Sequence, residues 1–255
     1  MFLFACIQLP RERVAALEDR GYPTCPEGAA DASPLTLSRT LRAGEGMREP
    51  SAFETFELRS RGCHVVFTGH EEWAMGASDV EVVFDAALRP VRAYKRSTSP
   101  GPQEIGARTD TRVYDLRGPH VELWRHMPLG EMERFRYRAP TPGAILGPGR
   151  GLLTAWFRRA HLQVGGRLRE AVLDIREPIE VVRDVTLLRL EDRDDARLGR
   201  RVRVYTIYGR EPIYADDDDL VIGDMMGLLP SEMVHTPMPT PMATDGPPRP
   251  SDPLR

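Results

Sequence analysis

The sequence predicts a mainly β protein, an antiparallel meander of short strands with one inserted amphipathic helix. Three observations carry that expectation. Between residues 51 and 229 the chain repeats runs of strand length, in which apolar and polar residues alternate between Gly, Pro and charged punctuation. One segment only, Leu153 to Ala160, switches strongly to helical spacing. Pro-dense sequence follows, where neither helix nor ladder is expected.

Residues 1–50 read as an N-terminal tether and irregular lead-in, with one short helical stretch at "RERVAALEDR". The β-rich domain then occupies 51–229. "FETFELRS" and "CHVVFTG" form the first pair, and "SDVEVVFDAALRPVRAYKR" alternates Val80, Val82 and Phe84 before a turn and a second extended run. "TRVYDL", "HVELWRHM" and "EMERFRYR" continue the meander. In "GPGRGLLTAWFRRAHL" a glycine-rich turn opens a helix near 151–162, with Leu153, Trp156, Phe157 and Ala160 on one face. Strands resume in "LREAVLDIRE", "IEVVRDVTLLRLED", "RRVRVYTIYGREPIY" and "LVIGDMMGLL", with "EDRDDARLG" and "ADDDD" as charged turns. Residues 230–255 read as a disordered, Pro-rich spacer. About ten strands and one principal helix result.

The chain has 255 residues, 41% of them hydrophobic and 29% charged, with a net charge of −3. That balance suits a globular domain and gives no global reason to expect nucleic acid. The abundance of Arg, Ala, Gly and Pro is the bias of a high-GC bacterial genome. No apolar run reaches the roughly 18 residues that a membrane-spanning helix needs.

Motif chemistry is sparse. GPGRG lacks the Lys and hydroxyl of a nucleotide phosphate loop and the last Gly of a dinucleotide fingerprint, so the plain expectation is a turn that lets an apolar helix pack. "GHEEW" has Ala74 where a zinc protease helix would place its second His. No Cys/His spacing suits structural zinc, so neither a metal nor another cofactor is expected. Cys63 and His64, as strand neighbours, should face opposite ways, which leaves no thiol nucleophile beside a base. Arg134, Arg136 and Arg138 alternate with Phe135 and Tyr137, as Arg201 and Arg203 do with Val202 and Val204. The expectation is a solvated face on which Arg pairs with Asp and Glu of neighbouring strands. No catalytic residue is assigned.

At the N-terminus, Leu3-Phe4-Ala5-Cys6 resembles a bacterial lipobox, with Phe4 in place of the usual small residue. That resemblance implies lipidation at Cys6, a start upstream of Met1 and anchoring on the periplasmic side of the cell envelope. With Cys6 lipidated, Cys25 and Cys63 remain as an even pair and suit a disulfide in an oxidising compartment. The alternative is a cytoplasmic chain with two inert thiols.

The strand meander with an apolar helix part-way resembles the half-barrel of bacterial Lol-type lipoprotein carriers and of a related uncharacterised periplasmic family, whose short helix is loosely echoed at 153–159. The resemblance implies that the meander is curved into a half-barrel or open barrel, and that the protein is a non-enzymatic envelope lipoprotein that shelters an acyl chain or a lipidated partner, with Leu153, Trp156 and Phe157 lining a cavity and the helix as lid. Two alternatives stand beside it: a structural or interaction protein whose helix plugs the cavity, and a hydrolase with a dispersed site.

Overall fold

The computed structural model describes residues 23–43, 52–73, 76–100, 108–126, 132–176 and 181–233. Fifteen strands and one α-helix lie among them. The first sheet contains β1 (Thr36–Ala43), β2 (Phe53–Arg61), β3 (His64–Trp73), β4 (Gly76–Phe84), β5 (Pro90–Ser99), β6 (Arg108–Asp115), β7 (His120–His126) and β8 (Met132–Arg138) as a continuous antiparallel meander. It curls into a half-barrel. The second sheet contains β9 (Ala144–Leu146), β10 (Arg167–Asp174), β11 (Val181–Asp195), β12 (Arg200–Ile207), β13 (Ile213–Ala215) and β14 (Val221–Asp224). The last strand, β15 (Leu228–Pro230), returns to pair with β1, so the end of the described chain locks its beginning. No helix among the described residues is long and apolar enough to cross a membrane.

The helix α1 (Leu153–Ala160) joins β9 to β10, which run parallel. That pair is the exception to the meander, because a helical crossover returns the chain in the same direction. One face of α1 is wholly interior. Leu153, Trp156 and Phe157 are 3%, 2% and 0% exposed, and Phe157 stacks on Tyr205 with ring centroids 4.1 Å apart. They share one core with Leu58, Phe67, Val82 and Tyr114 of the first sheet and Val172, Leu187 and Val221 of the second. The helix is the filling between two sheets. On the polar face Arg158 donates to the Asp218 carbonyl and Arg159 to Glu170.

Three boundaries differ from the sequence reading. Residues 36–43, expected in the irregular lead-in, form β1, because Leu41 and Ala43 reach the core while Ser38 and Arg42 face out. The spacer expected from residue 230 does not begin there: Pro230 still pairs with Leu41, and Ser231–Met233 form a 3₁₀ turn held by Glu232 on Arg39 at 3.1 Å, while the rest of the expected spacer lies outside the described residues. In "EDRDDARLG", Glu191 to Asp195 extend β11, and the turn is confined to the residues after Asp195. The short helix expected in 10–19 and the Cys6 lipidation site lie outside the described residues.

Cys25 and Cys63 are joined by a disulfide. It ties the arm before β1 to the β2–β3 turn, and Ala32 N–H to the Gly62 carbonyl (2.8 Å) and Ser60 N–H to the Leu35 carbonyl (2.9 Å) hold the same arm.

Candidate functional site

Strand pairing builds two surfaces on the first sheet. In β2 the side chains of Glu54, Phe56 and Leu58 point to the core, so Thr55 and Glu57 point to the other face. Register extends that second face across the sheet as two ladders. Thr40, Thr55, His70, Asp79 and Arg96 oppose one another in the first. Ser38, Glu57, Thr68, Glu81 and Tyr94 do so in the second. Above them lies a groove of about 850 Å³, rimmed on one side by Arg39 and Glu232 and on the other by Arg92 and Tyr94.

The second ladder continues from Tyr94 through Val113 to Trp124. Val113 and Trp124 are buried against Tyr94, and the Arg134 guanidinium sits 5.4 Å from the Trp124 ring centre. Tyr94 alone of the three therefore borders the floor of hydroxyls and carboxylates. His70 is fixed on that floor by Nδ1 at 2.7 Å from Asp79 Oδ1. Within the groove Glu57, Asp79, Glu81 and Glu232 outnumber Arg39 and Arg92. The local field favours a neutral or cationic guest over an anion.

Beneath the other face of the same sheet, the glycine-rich turn does hold a carboxyl group, and it is internal. The Arg150 and Gly151 N–H groups donate to the Glu54 carboxylate at 2.7 and 2.6 Å. A β2 side chain thus occupies the cradle at the start of α1, where the helix dipole favours negative charge. The glycines are required by close approach: a Cβ on Gly149 would lie 2.5 Å from Glu54 Oε1, and one on Gly151 would lie 2.2 Å from the Phe56 ring. Burial is the dominant influence on Glu54 and lifts its pKa to about 7 against those two hydrogen bonds. Its cross-strand partner Glu71 is also shifted upward, chiefly by burial.

The residues expected to line a lipid cavity lie elsewhere. Leu153, Trp156 and Phe157 pack in the shared core, and the void beside the start of the helix, against Leu152 and Phe67, is about 10 Å³. That space holds about one water molecule.

A second cleft of about 620 Å³ is lined by Arg150, Arg176, Arg183 and Arg210 with Glu211. Three of these arginines are already engaged: Arg150 with Asp224 at 3.1 Å, and Arg176 and Arg183 with Asp174 at 2.7 and 2.5 Å. Four of the five alternating arginines read from the sequence are paired in the same way. Arg134 meets Glu122 at 3.0 Å, and Arg203 meets Asp219 at 2.8 Å. Asp219 is not the solvated turn residue expected of "ADDDD": it is 3% exposed and also accepts the Tyr205 hydroxyl proton at 2.7 Å.

Sequence reasoning missed one further cluster. Cys63 lies in the β2–β3 turn rather than on a strand, so the rule that neighbours face opposite ways does not apply. His64 Nδ1 sits 3.4 Å from Cys63 Sγ and 4.0 Å from Cys25 Sγ.

No protein-family model matches the chain, and no curated protein matches it. Among solved structures, it is similar to the crystal structure of a DUF1089 family protein from Pseudomonas aeruginosa. The two are 19% identical with a TM-score of 0.37, over 81% of this chain and 96% of that one. A likeness at that level carries no argument about activity or ligand.

Proposed function

We propose that this is a non-catalytic binding protein of an oxidising cell-envelope compartment, in which α1 is a plug and the groove on the first sheet receives a polar ligand. One contrast carries the reading. The space beside the start of the helix is about 10 Å³, whereas the groove on the opposite face is about 850 Å³ and floored by ordered hydroxyl and carboxylate groups. Pockets that bind small molecules have volumes of about 300–1,000 Å³, with a few convergent polar groups. The excess of carboxylates selects a neutral or cationic guest, and the Tyr94 ring in the groove wall offers an aromatic surface for its less polar side. The disulfide supports the oxidising compartment. Anchoring through Cys6 belongs to the same proposal.

Calorimetric titration with spermidine, as a cationic probe, and with a fluorescent fatty acid, as an acyl probe, tests it. Spermidine is expected to bind, and Glu57→Gln with Glu81→Gln to weaken it at least tenfold without lowering the melting temperature. Fatty-acid uptake that Trp156→Ala abolishes would restore the lid reading and a lipid ligand. Absence of spermidine binding would sink the electrostatic part of the proposal.

A further inference from the structure

The structure assigns a second site to Cys25, Cys63 and His64: in the reduced protein we propose that they bind one thiophilic d¹⁰ metal ion, Zn²⁺ or Cu⁺. This inference is independent of the groove.

The argument is geometric. The three donor atoms all lie within 4.8 Å of one another. A tetrahedral zinc ion with bonds of about 2.3 Å to sulfur and 2.0–2.1 Å to nitrogen needs its sulfur and nitrogen ligands about 3.5 Å apart and two sulfurs about 3.8 Å apart. The His64 Nδ1 distances of 3.4 Å to Cys63 Sγ and 4.0 Å to Cys25 Sγ already bracket the first value. Only the two sulfurs, joined in the disulfide, must move apart. Fixed and adjustable parts are suitably divided. Cys63 and His64 are 5% and 7% exposed at the end of the β2–β3 hairpin, whereas Cys25 lies on the surface arm. The arm is anchored independently of the disulfide, through the Ala32 and Leu35 backbone bonds to the same hairpin and the Ser60 hydroxyl bond to the Ser33 carbonyl. Cys25 therefore stays near its partners when the sulfur–sulfur bond is broken.

Chemistry favours the same assignment. Two thiolates and an imidazole are a soft donor set that suits Zn²⁺ or Cu⁺ and discriminates against Mg²⁺ and Ca²⁺. Entry to the reduced state follows thiol–disulfide exchange with a dithiol. Its thiolate attacks the exposed Cys25 Sγ, and the bond to Cys63 breaks with the electron pair leaving on Cys63 Sγ. The second reductant thiol then releases Cys25. Two electrons and two protons pass to the protein, and the dithiol leaves as its disulfide. Metal binding displaces the two thiol protons. The same three side chains would thus alternate between a covalent staple and a metal clip on the arm.

The test uses the full chain, reduced and held anaerobic, with Zn²⁺ titrated against a chromogenic chelator and Cu⁺ against a cuprous chelator in a parallel arm. Co²⁺ substitution supplies a thiolate-to-metal charge-transfer band as a direct sign of sulfur ligation. One ion per reduced chain is expected, none at this site in the oxidised chain, full retention in Cys6→Ser, and at least a tenfold loss of affinity in His64→Gln. Circular dichroism of His64→Gln establishes that it folds, and Cys25→Ser, altered only on the exposed arm, gives a second reading of the same loss. Failure of the reduced chain to take up either ion would overturn the proposal. So would uptake that Cys6→Ser abolishes, or that His64→Gln and Cys25→Ser leave intact.

Discussion

Phe157→Ala is expected to lower the free energy of unfolding by about 3–5 kcal/mol, the range for truncating a fully buried aromatic side chain. The ring is 0% exposed and stacked on Tyr205, and both belong to the core shared by the two sheets. Its removal leaves a cavity where the sheets meet, and neither can collapse inward without breaking its ladder. A typical domain has about 5–15 kcal/mol of stability in total, so the loss is a large fraction of what is available. Trp156→Ala should fall in the same range. Trp156→Phe should be milder, because Trp156 Nε1 is buried without a hydrogen-bond partner among the described residues, and Phe removes that polar group along with part of the volume. Denaturant titration at unchanged slope measures all three. A loss below about 1 kcal/mol for Phe157→Ala, accompanied by loss of fatty-acid uptake, would show a lid able to leave its seat.

The strand meander and the helix were legible because their signals are local. Val80, Val82 and Phe84 alternate, and Leu153, Trp156 and Phe157 recur at helical spacing, so the sequence carries both periods directly. Strand β1 was harder to read: in "TLSRTLRA" Arg39 interrupts the phase of Leu37, Leu41 and Ala43, and its pairing with β15 joins residues far apart in sequence. The disulfide could be anticipated from parity of the cysteines, but its neighbour His64 could not. That contact depends on Cys63 being a turn residue, one position outside the strand that its apolar neighbours suggest. The groove left the faintest signal. Its ladders are single polar residues from five strands, and only the register brings them into line.

Glu54 was within reach of the same rule that placed the core. In "FETFEL" it shares the odd–even phase of Phe56 and Leu58, which predicts that it points inward. Phe53 on the opposite phase obscures the pattern. The carboxylate becomes intelligible once the glycine-rich turn is seen beside it, because Arg150 and Gly151 supply the donors that an interior acceptor requires. Turn and strand explain each other: the donors of the loop are used from within the fold, and the buried acid rests mainly on backbone N–H groups rather than on a charged partner.

A measurable pH dependence follows from that burial. The Glu54 pKa rises from 4.5 in the unfolded chain to about 7 in the folded protein. The folded state therefore binds the proton more tightly, and stability falls as pH rises through that window. At about 1.4 kcal/mol per pK unit the loss attributable to Glu54 is ~3 kcal/mol between pH 4.5 and neutrality. Glu71, raised chiefly by burial, adds to the same slope. Asp110, Asp115 and Asp174 oppose it on the acid side. Burial acts against them, but hydrogen bonds and charge from their arginine partners outweigh it and hold each below its ordinary range. Their stabilisation is present above the unfolded aspartate pKa and is lost as pH falls through the folded values. Maximal stability is therefore expected near pH 5, on the acid side of neutrality. Glu54→Gln should flatten the slope between pH 5 and 7. It should also cost about 1–3 kcal/mol at pH 5, because the amide NH₂ must face one of the two backbone donors. Thermal melts of the parent and the variant across that range provide the comparison. Parallel curves would mean that Glu54 titrates as an ordinary carboxylate and that the turn holds it fully ionised.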